Sequence, residues 1–225
     1  EDAAHAFGST YQGSKIGSVG DIACFSFDGI KNITSGEGGC VVTEDRKVID
    51  RIKDSRLLGV QKDTEKRYGG SRSWDPDVTH QGWRYHMSDI MAAIGRVQLA
   101  NFEYHKLSRQ SLAKYYVKKL KSVNDVSLID LDYNEVVPHI FVIMLNTKID
   151  RTKLIANLAK KGIPVGIHYK PNHHLSFFKN LNDPYLINTE NIFPNILTLP
   201  LHPEITEQDI DFIIPSLLKD IENAR

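Results

Sequence analysis

Lys31 stands alone between a short apolar run and a glycine-rich turn. Ala23-Cys24-Phe25-Ser26-Phe27 lies before it, and Ser35-Gly36-Glu37-Gly38-Gly39 follows. A lysine amine held at the end of a strand can form an imine with an aldehyde cofactor. Asp2 stands 29 residues before Lys31, and Ser26 stands 24 residues after Asp2. A carboxylate, a hydroxyl and an amine are the parts that a pyridoxal phosphate (PLP) site needs. The carboxylate keeps a pyridine nitrogen protonated, the hydroxyl binds phosphate and the amine makes the Schiff base. Each residue also has an ordinary role: a solvated lysine, an N-cap aspartate, a turn serine. It is their combination with the apolar run and the glycine turn that favours the chemical reading.

The elements that must position these groups follow from pattern. Ile22–Phe27 and Gly39–Thr43 read as buried strands on either side of the glycine turn. Asp45–Leu58 reads as a helix stopped by Gly59. Residues 59–86 have no clean period and read as a long irregular loop. Ser88 caps a helix from Asp89, and a second helix spans about Phe102 to Leu120, with Asn101 as a kink between them. From there the pattern becomes strand (His139–Leu145), helix (Thr152–Lys161, ended by Gly162) and strand (Pro164–Tyr169). A final helix covers Thr206–Asn223, where Pro215 should bend or divide it. A boundary is expected near residue 104. Residues 1–104 then form part of a larger α/β domain, and residues 105–225 a small α+β domain.

Composition narrows the function classes. Lys+Arg 28 balances Asp+Glu 28, which argues against a broad nucleic-acid or membrane surface. Hydrophobic content of 41% and aromatic content of 9% are ordinary for a globular chain. No apolar run is long enough to span a bilayer, and no signal peptide is visible. Cys24 and Cys40 sit in strand-like runs and read as buried core thiols rather than a disulfide or metal pair. There is no dinucleotide fingerprint, P-loop or HExxH helix. His168, His173 and His174 make a histidine-rich patch, but no acidic or cysteine partner lies nearby in sequence, so no metal site is expected. His173 and His174 read as a surface loop.

Four stretches resemble the DegT/DnrJ/EryC1/StrS family of sugar aminotransferases, which are fold type I PLP enzymes. They are EDAAHAFGSTYQGSKIGSVGDIACFSFDGIKNITSGEGG (1–39), QGWRYHMSDIMAAIGRVQL (81–99), GIHYKPNHHLSFFK (166–179) and LTLPLHPEITEQDIDFII (197–214). The resemblance implies an α/β fold: the C-terminal part of the PLP-binding large domain, followed by the small domain. It also implies that Lys31 is catalytic and that Asp2, His5, Ser26 and Lys31 bind cofactor, with His5 near its phenolic oxygen. His168 and Tyr169 fall where relatives contact the sugar. Gly82-Trp83-Arg84-Tyr85-His86-Met87 departs from the Gly-Tyr-Asn-Tyr-Arg-Met of many relatives, whose Asn reaches the cofactor phosphate of the neighbouring subunit. Arg84 could take that role as a charged donor, meet a substrate phosphate, or brace the loop.

By the same resemblance the expected activity is amino transfer, with L-glutamate as donor and a keto sugar of a nucleotide-sugar as acceptor. A cytoplasmic homodimer with shared active sites is implied. The matched stretches begin in the middle of the family's fold, so the expectation includes a missing N-terminal segment or a partner chain that supplies it. Two alternatives remain. A sugar dehydratase of the same family would carry histidine in place of Lys31. A regulatory protein would bind PLP or another ligand without turnover.

Overall fold

The computed structural model describes residues 1–61, 69–70, 76–146, 148–178 and 186–224. The chain divides into two compact units, Glu1–Tyr104 and His105–Arg225. Much of the long loop expected over 59–86 lies outside the described residues.

The first unit is built on a hairpin. Strands β1 (Thr10–Tyr11) and β2 (Ser14–Lys15) form a small outer ribbon. Strands β3 (Ile22–Ser26) and β4 (Gly39–Thr43) pair antiparallel, with Ser26 opposite Gly39 and Cys24 opposite Val41. On the other side of β3 the chain start runs parallel to it. Ala3 N donates to Cys24 O at 2.9 Å, and Cys24 N donates to Glu1 O at 3.0 Å. Among the described residues β4 pairs only with β3. Ile22, Val41 and Val42 remain about two-fifths exposed (40%, 41% and 43%).

Cys24 is exposed and Cys40 half-buried, so the expectation of two core thiols fails. Successive side chains of a strand leave on opposite faces, and Ala23 rather than Cys24 takes the covered one. Helix α1 (Arg46–Ser55) is capped by Asp45, whose carboxylate accepts from Lys47 N and Val48 N. Helix α2 (Asp89–Ala100) is capped by Ser88 as the sequence predicts. Asn101 ends α2, and α3 (Phe102–Leu120) begins beyond it.

The second unit is a three-stranded antiparallel sheet, order β5-β6-β7, of Val126–Leu128, Phe141–Leu145 and Ile196–Leu199. Its helices are the main part of α3, α4 (Arg151–Lys160), the short α5 (Ile187–Ile192) and α6 (Glu207–Asn223). Tyr116, Phe141, Ile143, Leu154, Leu158, Leu197, Leu217 and Ile221 form a continuous core. Burying each such side chain contributes roughly 1.5–3 kcal/mol. Buried Arg109 on α3 ties two loops together, its Nη1 donating to Pro138 O and His139 O in one and Leu201 O in the other. Burial pushes its pKa down.

One expectation needs correction here, and one of two alternatives at Pro215 is excluded. Residues 164–169 are not a strand and touch the sheet through one antiparallel bridge, Gly166 with Thr198. Pro164 brings no N–H to a ladder, and the third strand of the sheet, beside β6, is β7. Pro215 does not divide α6, which is a single element from Glu207 to Asn223. Ile210, Ile213 and Ile214 before or beside the proline and Leu217 and Ile221 after it are all buried, so packing holds both halves. The capping box of Thr206 and Asp209 fixes the start of the helix.

Candidate functional site

The turn between β3 and β4 is held by its own polar groups. Ser26 Oγ accepts from Asp28 N at 3.3 Å, Asp28 Oδ1 accepts from Ile30 N at 3.1 Å, and Lys31 N donates to Asp28 O at 3.1 Å. Further along, Ser35 N donates to Phe27 O at 2.9 Å, and Phe27 N donates to Gly38 O at 2.8 Å. The close of the turn demands glycine. A Cβ on Gly39 would lie 2.5 Å from Phe25 O. Gly38 has φ +147°, and a Cβ there would meet Met87 Cε at 2.7 Å and Ser35 Oγ at 2.8 Å.

This turn carries a half-buried Lys31 to the exposed His5, with Nζ 2.6 Å from Nε2. A protonated amine at that distance donates to the imidazole lone pair. His5 is held there by the segment after Asp2. Phe7 docks edge-on against Phe25, Phe27 and Phe102, with centroids 5.5, 6.0 and 4.9 Å away. Asn32 was not singled out by sequence reasoning, yet it joins the two loops. It is buried, and its Nδ2 donates to His5 O at 3.3 Å and Phe7 O at 3.5 Å. The only sign of it in sequence is an amide set between Lys31 and the apolar Ile33.

Asp2 sits opposite Cys24 in a parallel bridge, two residues before Ser26 along β3. Its Oδ1 accepts from Ala4 N at 3.2 Å and the side chain is otherwise exposed. Lys31 and His5 thus meet beyond the end of β3, with Ser26 as its last residue and Asp2 beside its middle. As a donor set they include an amine able to form an imine, a carboxylate able to hold a ring-nitrogen proton and a hydroxyl able to bind phosphate. That chemistry fits PLP.

Arg84 belongs to a different grouping in the same unit. Trp83 N donates to Ser55 O at 2.6 Å, Leu58 N to Trp83 O at 2.9 Å and Tyr85 N to Arg56 O at 2.9 Å. This pairing lays Arg84 along the end of α1. It lines a cleft of about 730 Å³ together with Glu37, Gly38, Arg56, His86 and Met87. Cys40 also lines it. Burial and the Cys24 thiol, in that order, push the Cys40 thiol up and leave it a poor nucleophile.

His168 and Tyr169 lie in the second unit. His168 Nδ1 is 2.9 Å from Thr198 Oγ1, and its ring sits so close to Gly166 that a Cβ there would be 2.9 Å from Cε1. The Tyr169 ring packs edge-on against it at 4.7 Å and is half exposed (52%). His173 and His174 do not form a bare surface loop, because both meet Glu190.

The sequence model of the DegT/DnrJ/EryC1/StrS aminotransferase family matches residues 1–218. The chain belongs to that family. An uncharacterised protein of Methanocaldococcus jannaschii is 34% identical over 234 residues, covering 100% of this chain and 60% of its own length. The UDP-4-amino-4,6-dideoxy-N-acetyl-beta-L-altrosamine transaminase of Campylobacter jejuni is 33% identical over 229 residues, covering 100% and 59%. Among solved structures, Helicobacter pylori PseC, an aminotransferase involved in the biosynthesis of pseudoaminic acid, superposes with a TM-score of 0.87 at 27% identity. That match covers 99% of this chain and 59% of PseC. A candidate sugar aminotransferase of Streptococcus pneumoniae, solved in PLP and PMP forms, gives TM-scores of 0.85 and 0.86 at 29% identity. Those two matches cover 100% of this chain and 57% and 59% of that one. The family and the likeness to these structures establish the α/β, fold type I architecture expected from the sequence. The chain spans about 59–60% of the length of the curated relatives it matches. No described helix is long and apolar enough to cross a membrane.

Proposed function

We propose that this chain is the lysine-bearing part of a PLP-dependent aminotransferase that aminates a keto group on a nucleotide-linked sugar, with L-glutamate as donor. The observation that carries the reading is the Lys31 amine, presented by the turn after β3 at 2.6 Å from His5. Family membership and the named transaminase relatives support it.

When bound, PLP supplies an aldehyde for imine formation and a cationic ring that accepts electrons. Lys31 Nζ would hold it. Asp2 would hold a proton on the ring nitrogen, the Ser26 hydroxyl would bind the phosphate, and His5 Nε2 would orient the Lys31 amine. Lys31 Nζ, when not joined to the cofactor, would take a proton from the substrate carbon and return it. Arg84 offers a charged, forked donor for a phosphate. His168 and Tyr169 take the sugar side, with the His168 ring held by Thr198. A homodimer with shared sites completes the reading, together with a further N-terminal segment or partner chain. Two free thiols suit a cytoplasmic location. Lysine at position 31 favours amino transfer over sugar dehydration.

Borohydride reduction after incubation with PLP, followed by peptide mapping, tests this reading on the chain and on a version extended at its N-terminus. A pyridoxyl group on Lys31 in either is the expected result. No adduct in either would refute the transfer chemistry and leave a binding protein. In a separate, unreduced sample, amine transfer from glutamate to the bound cofactor distinguishes turnover from mere binding.

A further inference from the structure

We propose that His173, His174 and Glu190 form a site for a divalent transition ion of the zinc class, with a water in the remaining position. The sequence offers the two histidines no acid at close spacing. The fold supplies one: Glu190, on α5, turns back onto the 3₁₀ turn Asn172–His174. Both imidazoles converge on one carboxylate oxygen. His173 Nε2 is 2.5 Å and His174 Nε2 2.7 Å from Glu190 Oε1. Ligand atoms of all three residues lie within 4.8 Å of one another.

Two imidazole nitrogens and a carboxylate oxygen are a ligand set zinc commonly takes, and three protein ligands leave a fourth position for water. The side chains are partly covered, with exposures of 17%, 30% and 34%, which shields an ion without closing its route. Their positions are fixed. Pro171 precedes the turn, His174 N donates to Pro171 O at 3.0 Å, and Leu175 N to Asn172 O at 2.9 Å. The two imidazoles pack edge-on with centroids 4.5 Å apart, and Phe193 backs the His174 ring at 5.5 Å.

Ligands about 2.0–2.2 Å from a tetrahedral zinc stand about 3.4 Å apart. The Glu190 oxygen therefore has to withdraw by roughly 0.7–0.9 Å from the imidazoles, a small torsion for a partly exposed side chain. In the ion-free pair both imidazoles direct Nε2–H at the carboxylate. To take the ion, each neutral ring shifts that proton to Nδ1, and any doubly protonated ring releases one proton to solvent. Hydrogen bonds from His173 and then His174 hold the Glu190 carboxyl below its ordinary value. Binding here does not depend on the chemistry of Lys31.

Cobalt and zinc titration of chelator-treated protein tests the site. The expected result is one equivalent of Co²⁺ with the intense visible bands of four-coordination, no thiolate-to-cobalt charge transfer, and displacement by Zn²⁺. Affinity should fall at least tenfold in His173→Ala, His174→Ala and Glu190→Gln, since even outer-shell changes cost about 10–100-fold. Glu190→Gln keeps an acceptor for both imidazoles and nearly the same volume, so it separates ligation from folding. The spectrum of the unmutated protein needs no variant at all. Absence of stoichiometric binding, a thiolate band that assigns the ion to Cys24 or Cys40, or undiminished affinity in Glu190→Gln would each overturn the proposal.

Discussion

Asn32→Ala should loosen the meeting of the Lys31 turn and the His5 loop. The wild-type amide donates to two carbonyls on the His5 side, at 3.3 and 3.5 Å, from a buried position (5% exposed). Both bonds are long, so each stands at the lower end of the usual net value of about 0.5–1.5 kcal/mol. The carbonyls left behind are partly covered, and the combined loss is therefore roughly 1–2 kcal/mol. For a chain of this length that corresponds to a fall in Tm of about 2–8 °C. The effect on reactivity should be larger than stability alone gives. Displacing a reacting group by about 1 Å can cost on the order of 100-fold in rate, and Asn32 joins the Lys31 turn to the His5 loop. The assay is the rate of borohydride-trappable PLP attachment at Lys31, measured well below the melting transition so that all molecules are folded. Asn32→Asp should be worse than Asn32→Ala, because it sets carboxylate oxygens against two carbonyl oxygens. If Asn32→Ala traps PLP within about twofold of wild type and melts at the same temperature, the bracing role assigned to this amide is wrong.

Other outcomes follow from the same coordinates. Gly39→Ala should destabilise the protein by about 1–3 kcal/mol, because the added methyl meets the fixed backbone oxygen of Phe25 at 2.5 Å. Urea unfolding with an unchanged midpoint would contradict that packing. In the second unit, hydrogen bonds from Lys119 and then Tyr115 hold the Asp211 carboxyl below its ordinary 3.8. A carboxyl depressed in the folded state contributes stability above its unfolded pKa and loses it as pH falls through the folded one. Melting temperature should therefore drop as pH falls below about 4, and part of that drop should vanish in Asp211→Asn. An identical acid profile in the variant would remove Asp211 from the account.

Legibility in the sequence tracked the range of the interactions. The helices over 89–100, 102–120 and 207–223 could be read because their signals are local: Ser88 as a cap, and apolar residues recurring on one stripe. The β3–β4 hairpin could be read because two apolar runs flank a glycine turn whose φ +147° and close contacts leave no other choice. Strand β7 could not. Four residues, one of them Thr198, are too few to show a period, and only pairing with Phe141–Leu145 makes them a strand. The segment 164–169 shows the converse error: its composition suits a strand, but just one bridge to Thr198 forms.

The same division holds for side chains. Lys31, Ser26 and Asp2 could be singled out as an amine, a hydroxyl and a carboxylate at set spacings around a strand, and the fold brings Lys31 to His5. Asn32 was not readable, since its importance lies in two carbonyls 25 and 27 residues away. Glu190 was hidden for the same reason. Nothing in the sixteen or seventeen residues that separate it from His174 and His173 marks it as their partner. A local reading therefore sees two histidines and assigns them to a surface, whereas the fold turns a short helix back over them and gives one carboxylate oxygen to both rings. Groups of ionisable residues drawn from different loops are where sequence patterns carry least and coordinates add most. That is why the cobalt titration, rather than a further search for motifs, decides what the second unit binds.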